Sequence, residues 1–255
     1  MSHYDIAVIG AGAAGLAAGL ALQPTGRSFI VLEARDRIGG RAFTDTTTLG
    51  LPVDLGAHWL HAASQNPFTA IADRLGFAYK SDIGWDTGHI VRFGNGAPLP
   101  EKVQLEAARH VIGVLTRIDE ASDRPDRPFS DFLDPASRWN TLTRRIIAQI
   151  TSHEAEDCSV LDYHRYVGDG GDYPVEQGYG TLVAANAAGL PVTLDTPVTR
   201  IDWSGPGVRL ETARGTLTAR TIILAVPVNV LIAGGIRFDP ALPPAVVEAF
   251  HDCPM

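Results

Sequence analysis

The beginning of the chain alternates between short apolar runs and a stretch of small residues. Residues 4–9 (YDIAVI) and 29–32 (FIVL) are apolar and rich in β-branched side chains, which predicts two buried strands. Between them, an Ala- and Leu-rich stretch from Ala13 to Gln23 predicts a helix that Pro24 ends. Small side chains allow such a helix to lie close against a sheet. The segment therefore predicts a strand–helix–strand unit.

The middle of the chain has the periodicity of helices. Apolar residues recur at three- and four-residue steps over residues 103–118, which predicts a helix with one buried face. Asp134 followed by Pro135 predicts the N-cap and first turn of a second helix that reaches about Thr151. An irregular connection with a short strand at residues 89–93 precedes both helices.

The final part of the chain returns to strand patterns. A helix of small residues is predicted at residues 181–188, and three strands follow it. Turns that contain Gly separate these strands at hairpin spacing. The predicted strands cover residues 198–203, 208–211 and 217–226. This order of elements predicts a first domain that is interrupted by a largely helical insertion.

Composition and charge narrow the classes of function. Hydrophobic residues make up 45% of the chain and charged residues 20%, which is typical of a folded globular protein. The formal net charge of -8 disfavours nucleic acid and anionic membrane surfaces as partners. Without a membrane-length apolar run or a signal-peptide pattern, we expect a cytoplasmic protein. Cys158 and Cys253 lie outside any metal-ligand pattern, so we expect two reduced thiols and no metal.

A glycine motif stands where the first strand meets the first helix. Residues 10–15 (GAGAAG) match the GxGxxG pattern of dinucleotide-binding sites. Gly10 permits a tight turn, Gly12 lets the backbone approach a pyrophosphate, and Gly15 lets the helix pack on the strand. Glu33 ends the second strand, where a carboxylate accepts hydrogen bonds from an adenosine ribose. A carboxylate at this position favours NAD or FAD over NADP.

The residues after Glu33 extend this motif. Residues 33–41 (EARDRIGGR) add a second glycine turn that carries an arginine, and here the sequence resembles the flavin-containing amine oxidase family. The resemblance implies FAD as the cofactor, with Glu33 at the adenosine ribose and Arg41 near the pyrophosphate. NAD dehydrogenases do not normally carry this extension, so FAD is the preferred cofactor.

A third segment resembles the polyamine oxidase-like branch of the same family. Residues 53–61 (VDLGAHWLH) carry the Gly-Ala-x-Trp-x-His pattern of that branch. The resemblance implies that Gly56 and Ala57 pass close to the isoalloxazine ring. It also implies that Trp59 lies near the ring on the substrate side and that His61 faces the substrate cavity. These roles make His61 the candidate catalytic residue.

Two further candidate contacts are less distinctive. Val198 resembles a family valine whose backbone meets the adenine, although an ordinary strand explains the same sequence nearly as well. For His58, an exposed or hydrogen-bonded core histidine is the simpler interpretation. The complete set of predicted cofactor-binding residues is Gly10, Ala11, Gly12, Ala14, Gly15, Glu33, Ala34, Arg35, Gly40, Arg41, Gly56, Ala57, His58, Trp59 and Val198.

The resemblance spans almost the whole chain and implies its organisation. We expect an α/β fold with a Rossmann-like FAD-binding domain, formed by a parallel sheet with helices, and a partial helical and mixed substrate domain. Residues 1–80 are assigned to the first part of the FAD-binding domain, residues 81–178 to the insertion, and residues 179–255 to the return. Family members normally continue into a closing flavin segment that carries a lysine. We therefore expect a missing C-terminal half or a second chain to complete the fold.

The resulting hypothesis is FAD-dependent oxidation of a polyamine-like amine by hydride transfer to flavin N5. O2 is the expected second substrate, and H2O2 and an imine are the expected products. An ordinary imidazole titrates near pH ~6.5, so His61 is suited to orient or deprotonate the amine. An L-amino-acid oxidase, which usually has an arginine where this chain has Trp59 or Leu60, or a desaturase-like flavoprotein is the alternative enzyme. A non-catalytic dinucleotide-binding module or subunit is the alternative outside enzymes.

Overall fold

The computed structural model describes most of the chain. The described residues are 2–79, 91–94, 96–121, 125–165 and 171–253. The chain divides into two compact units. Unit 1 consists of Met1–Ser81 and Gly170–Cys253, and unit 2 consists of Asp82–Asp169.

Short strands and helices alternate along the described residues. The strands are β1 (His3–Ile9), β2 (Phe29–Leu32), β3 (Thr44–Asp45), β4 (Val53–Asp54), β5 (Trp59–Leu60), β6 (Phe93–Gly94), β7 (Ala97–Pro98), β8 (Tyr173–Pro174), β9 (Val192–Thr193), β10 (Val198–Asp202), β11 (Val208–Thr212), β12 (Gly215–Leu224) and β13 (Arg237–Asp239). The α-helices are α1 (Ala13–Leu22), α2 (Pro67–Leu75), α3 (Glu101–Glu120), α4 (Asn140–Thr151), α5 (Val160–Tyr163), α6 (Tyr179–Asn186), α7 (Val228–Ile232) and α8 (Pro244–His251). Two short 3-10 turns cover Gln23–Thr25 and Phe129–Phe132.

Unit 1 is built on a seven-stranded sheet with the order β13-β10-β11-β12-β1-β2-β9. Strands β12, β1, β2 and β9 are parallel to one another, as the strand–helix–strand prediction requires. The hairpins of β10, β11 and β12 are antiparallel, so the sheet is mixed and not parallel throughout. The reason is that short Gly-containing turns join these strands, and such turns reverse the chain direction.

Strand β1 lies at the centre of the unit 1 core. Val8 belongs to a buried cluster with Leu16 of α1 and Val183 of α6. The next residue, Ile9, belongs to a second cluster, which contains Leu210 of β11. Successive side chains of a strand point to opposite faces. The uninterrupted apolar run of β1 is therefore explained by burial on both faces of the sheet.

Unit 2 contains the predicted one-sided helix. The buried residues of α3 include Val114 and Ile118, which join Ile147 of α4 in one apolar cluster. The predicted start of α4 was wrong, because the Asp134 carboxylate accepts a hydrogen bond from the main-chain N–H of Ala136 and forms a separate turn. The chain becomes helical only at Asn140. Residues 89 and 90 of the strand predicted at residues 89–93 lie outside the described residues, and of the other three only Phe93 is in a strand, β6.

Three further observations concern the cysteines, the helices and the metal-ligating side chains of the described residues. Both cysteines are free, with Cys158 buried and Cys253 exposed. Within the described ranges, every helix is too short or too polar to cross a membrane. In the same part of the chain, no group of three or more His, Cys, Asp or Glu side chains is arranged to hold a metal ion.

Candidate cofactor and substrate site

The loop of residues 10–15, here called the first glycine loop, is compact because its glycines approach other backbone atoms. Gly10 has a φ of +102°, and a Cβ built on it would lie 2.7 Å from the Ala225 carbonyl oxygen. A Cβ on Gly15 would lie 1.8 Å from the carbonyl oxygen of Gly10. Gly12 precedes α1 and provides no side-chain cap for its N-terminus. The first N–H groups of α1 are therefore suited to bind a phosphate.

Glu33 is fixed beside this loop at the carboxyl end of β2. Its side chain is only 8% exposed, and its carboxylate accepts hydrogen bonds from Ala11 N at 2.7 Å and Arg35 N at 2.9 Å. Its main-chain carbonyl accepts a hydrogen bond from Thr196 N at 2.8 Å. The Glu33 carboxylate thus connects the first glycine loop with the segment after β2, and the Glu33 main-chain carbonyl adds the connection to the approach to β10.

The second glycine turn, Gly39–Gly40, packs directly on the first glycine loop. Gly39 N donates a hydrogen bond to the Ala11 carbonyl at 2.8 Å. Gly40 has a φ of +59°, and a Cβ on it would lie 3.1 Å from Gly12 Cα. The Arg37 guanidinium donates a hydrogen bond to the Gly40 carbonyl at 3.0 Å. These contacts place the two glycine motifs side by side, as expected if both motifs contact the same FAD.

The third predicted segment, residues 53–61, is held next to the second glycine turn by backbone pairing with residues 41–45. Ala57 N donates a hydrogen bond to the Arg41 carbonyl at 3.1 Å, and Leu55 N donates one to the Phe43 carbonyl at 2.9 Å. A Cβ on Gly56 would lie 1.9 Å from the Arg41 carbonyl oxygen. Only glycine therefore permits this pairing, which brings Gly56 and Ala57, here called the glycine wall, next to the second glycine turn.

The second glycine turn and the glycine wall border an open cavity of about 600 Å³. It is lined by Arg35, Arg37, Gly40, Arg41, Phe43, Leu55, Gly56 and Ala57. Five of the eight lining residues were predicted from sequence as cofactor contacts. The three arginines provide positive charge for a pyrophosphate, and the glycines leave room for a flat ring. The residues present therefore fit FAD.

Arg37 was missed by the sequence analysis although it lines the cavity. Its guanidinium stacks 4.1 Å from the centre of the Phe43 ring and donates a hydrogen bond to the Gly40 carbonyl. The run from Arg35 to Arg41 contains three arginines without a regular period. Sequence alone therefore cannot show which of them face one cavity.

The predicted substrate-side residues follow the glycine wall along the chain. His58 and Trp59 have ring centroids 4.6 Å apart, and Trp59 lies in β5, which pairs with β8. His61 Nδ1 lies 2.8 Å from Asp172 Oδ1. The His61 side chain is 60% exposed and that of Asp172 is 42% exposed. Among the described residues, none of these four lines the arginine-rich cavity.

Val198 occupies a core position at the start of β10. Its side chain is 6% exposed and lies in the cluster that contains Ile9 and Leu32. The hydrogen bond from Thr196 to the Glu33 carbonyl brings this part of the chain beside Glu33. The contact of the Val198 backbone with an adenine remains a prediction.

Asp54 is a site residue that the sequence analysis did not identify. Its carboxylate accepts hydrogen bonds from Tyr179 N at 2.9 Å, Gly180 N at 3.2 Å and the Thr44 hydroxyl at 2.5 Å. The carboxylate therefore caps α6 and faces the positive end of the helix dipole. The capped residues lie about 125 positions along the chain, so no local pattern reveals the contact.

We predict that Asp54→Ala lowers the stability of unit 1 and weakens FAD binding. Hydrogen bonds to a charged group contribute about 1.5–3 kcal/mol each, and this change leaves donors of α6 without a partner. Asp54 also lies two residues before the glycine wall. We therefore expect the loss of its carboxylate to displace the glycine wall, which lines the cavity. Urea unfolding and FAD titration measure the two effects.

Asp45→Ala is the matched control for this prediction. Asp45 lies on the paired strand β3, but its carboxylate accepts hydrogen bonds from Thr47 and Thr48 within its own turn. A loss of FAD affinity as large in Asp45→Ala as in Asp54→Ala would show that the cap on α6 has no special role.

The fold and the cavity define a class of protein. A parallel strand–helix–strand unit with a glycine loop, an acidic residue after β2 and an arginine-lined cavity is the arrangement of a dinucleotide-binding α/β protein. The family model described as flavin containing amine oxidoreductase matches residues 13–255, so the chain belongs to this family. Membership confirms the α/β, Rossmann-like fold class and the prediction of FAD as the cofactor.

Individual relatives agree with this assignment. Polyamine oxidase 2 of Arabidopsis thaliana is 30% identical over 274 residues, which cover 97% of this chain and 56% of the relative. The structure of wild-type putrescine oxidase bound to putrescine has a TM-score of 0.66 at 24% identity and covers 98% of this chain and 63% of that one. Cyclohexylamine oxidase from Brevibacterium oxydans IH-35A has a TM-score of 0.68 at 23% identity, with 97% and 63% covered. The chain spans about half the length of the curated relative.

Proposed function

We propose that this chain binds FAD and takes part in the oxidation of an aliphatic amine of the polyamine class. The observation that carries this proposal is the cavity, which is lined by residues of two separately predicted segments, residues 33–41 and residues 53–61. Family membership and the similarity to a polyamine oxidase support an amine substrate. The acidic net charge of the chain suits a cationic substrate.

Different residues would hold different parts of the cofactor. Arg35, Arg37 and Arg41 of the cavity would offer charge to the pyrophosphate. Glu33, which lies beside the first glycine loop and not in the cavity lining, would offer its carboxylate to the adenosine ribose. The glycine wall would lie against the isoalloxazine ring. When bound, FAD supplies the redox chemistry, since it accepts a hydride from the carbon next to the amine nitrogen and passes electrons to O2 with release of H2O2.

His61 would prepare the amine for this reaction. A protonated amine has no free lone pair to assist hydride departure, so the substrate must be held in its neutral form. With the Nδ1 hydrogen donated to Asp172, His61 Nε2 is an acceptor that can take the amine proton. Trp59, two residues earlier on β5, would limit the space around the substrate.

We predict that His61→Ala slows reduction of the bound flavin by spermidine about 100-fold or more while FAD stays bound. A positioned acid or base contributes ~10²–10⁴-fold to a proton transfer. The measurement is the rate of flavin bleaching after anaerobic mixing. His251→Ala, which changes an exposed histidine at the end of α8, is the control. Identical reduction rates for His61→Ala and the parent chain at every pH would remove His61 from the reaction.

A second candidate function is a cofactor-binding module without oxidase activity of its own. It is favoured by the lining of the arginine-rich cavity, which among the described residues does not include His58, Trp59 or His61. On this proposal, a C-terminal half or a second chain completes the enzyme. Mixing the purified chain with FAD and then with amines separates the two functions. A yellow protein that amines bleach supports the oxidase, whereas a yellow protein that they leave unchanged supports the module.

The same mixing experiment tests the substrate class. A panel of spermine, spermidine, putrescine and neutral amino acids distinguishes a polyamine oxidase from an L-amino-acid oxidase. We expect bleaching by the polyamines alone. Bleaching by amino acids alone would favour the amino-acid oxidase, and a chain that stays colourless with FAD would contradict both functions.

A further inference from the structure

We propose that Asp172 is a positioning residue that fixes the ring orientation and tautomer of His61. This inference rests on the proposed function, in which His61 takes a proton from the amine. Asp172 follows the glycine-rich stretch before β8 and belongs to none of the motifs found in the sequence. The pairing of two short strands brings Asp172 next to His61.

The register of these strands places the two residues opposite each other. β5 and β8 are antiparallel, with Trp59 opposite Pro174 and Leu60 opposite Tyr173. One further step along the same ladder brings His61 opposite Asp172. Directly opposed residues of an antiparallel pair have their side chains on one face and close together. The observed distance of 2.8 Å from His61 Nδ1 to Asp172 Oδ1 agrees with this geometry.

Contacts on both sides hold the backbone at this step. Ala63 N donates a hydrogen bond to the Gly171 carbonyl at 3.0 Å, which continues the connection beyond the strands. The Asn66 side chain donates a hydrogen bond to the His61 carbonyl at 3.0 Å. The carbonyl oxygen of the same Asn66 side chain accepts a hydrogen bond from Phe68 N, so His61 is tied to the first turn of α2.

The strand that carries Asp172 is supported by a pair of tyrosines. The rings of Tyr79 and Tyr173 are stacked, with centroids 5.9 Å apart and planes 5° from parallel. Tyr79 donates a hydrogen bond to the Asp73 carboxylate at 3.0 Å. This hydrogen bond, followed by burial, raises the pKa of the Tyr79 hydroxyl, which keeps the phenol neutral. The strand β8, which directly follows Asp172, is thus held by contacts other than the bond between Asp172 and His61.

The chemistry of the pair follows from this geometry. A carboxylate only accepts hydrogen bonds, so the neutral imidazole must carry its hydrogen on Nδ1 and leave a lone pair on Nε2. The open edge of the ring remains available, since the His61 side chain is 60% exposed. A pair this exposed contributes little to folding stability. Its effect is therefore expected on the state of His61 and not on the fold.

The test is the tautomer of His61 in the purified chain, measured by long-range proton–nitrogen NMR of its imidazole. Spectra are recorded above pH ~8, where an ordinary imidazole is neutral. The parent chain is expected to carry the hydrogen on Nδ1. Asp172→Asn is expected to shift the hydrogen toward Nε2, because the asparagine amide can donate to Nδ1. Asp172→Glu keeps a carboxylate and is expected to restore the Nδ1 tautomer.

A double-mutant cycle then links the tautomer to the reaction. Asp172→Asn is expected to slow flavin reduction by spermidine about 10- to 100-fold, by analogy with the loss of a partner that orients a metal-bound histidine. In the His61→Ala background the same change is expected to have no further effect. Asp252→Asn is the control, since it makes the same chemical change at an exposed carboxylate after α8 without touching the bond to His61.

The outcomes separate this inference from the proposed function. An unchanged tautomer in Asp172→Asn, or an equal shift in Asp252→Asn, would overturn the positioning role. A full additional loss of rate when Asp172→Asn is added to His61→Ala would overturn it as well. If the tautomer shifts as expected while amines fail to bleach the parent chain, the positioning role is supported and the proposed oxidase activity fails.

Discussion

Replacing Gly56 with alanine is expected to weaken FAD binding by about 100-fold or more. The new Cβ would lie 1.9 Å from the carbonyl oxygen and 3.1 Å from the carbonyl carbon of Arg41, and neither backbone atom can rotate away as a side chain can. The two paired segments must therefore separate, and the Ala57 to Arg41 hydrogen bond is lost. Forced overpacking costs about 1–3 kcal/mol and sometimes more, and each 1.4 kcal/mol is about tenfold in affinity.

The measurement is a titration of the apoprotein with FAD, followed by the quenching of flavin fluorescence. Gly205→Ala is the matched control, because a Cβ at Gly205 has no neighbouring atom within 4 Å. That variant should bind FAD like the parent chain. If Gly56→Ala also retains full affinity, the arginine-lined cavity is not the place where the flavin binds.

Elements whose signal is local could be predicted from the sequence. The strands β1 and β2 and the helix α1 follow from apolar runs and small residues that are adjacent along the chain. The glycine motifs were also recognisable, because a backbone that must turn sharply or approach another backbone excludes every other residue type. Gly15 shows this directly, since its Cβ would collide with the Gly10 carbonyl.

Contacts between distant parts of the chain could not be predicted. Asp54 caps a helix 125 residues away, and His61 meets a carboxylate 111 residues away. Each contact depends on which strands pair and in which register. The sequence next to an aspartate does not show which distant strand it will meet. The sequence therefore provides candidate residue types, whereas the fold determines which of them meet.

The late start of α4 shows a second physical limit. Asp134 and Pro135 satisfy the rule for an N-cap, yet the Asp134 carboxylate caps only a turn. Ser137 then accepts a hydrogen bond from Trp139 N and forms a second turn before the helix. Short polar side chains stabilise turns and helix starts through the same bonds, so tertiary packing decides between them.

Removing the carboxylate of Glu33 is the other change from which we expect a large effect. Glu33→Ala leaves two buried or partly buried main-chain donors, Ala11 N and Arg35 N, without their acceptor. Hydrogen bonds to a charged group contribute about 1.5–3 kcal/mol each, and the adenosine ribose loses its proposed partner as well. We therefore expect FAD affinity to fall by about 100-fold to 1000-fold, as measured by the same titration, whereas Glu248→Ala, on the exposed side of α8, should bind normally.

Weaker FAD binding in Glu33→Ala has two possible causes, a lost contact between Glu33 and the ribose or a distorted first glycine loop. A change in the preference between two nucleotides distinguishes these causes. A carboxylate at Glu33 repels a 2′-phosphate, so the parent chain should bind ADP-ribose more tightly than its 2′-phosphorylated form. In Glu33→Ala that repulsion is gone, while Arg35, two residues further on, still offers positive charge. The preference for ADP-ribose over its 2′-phosphorylated form should therefore become smaller or reverse, as measured by calorimetric titration. If both nucleotides weaken by the same factor, Glu33 holds the first glycine loop in shape without touching the ribose.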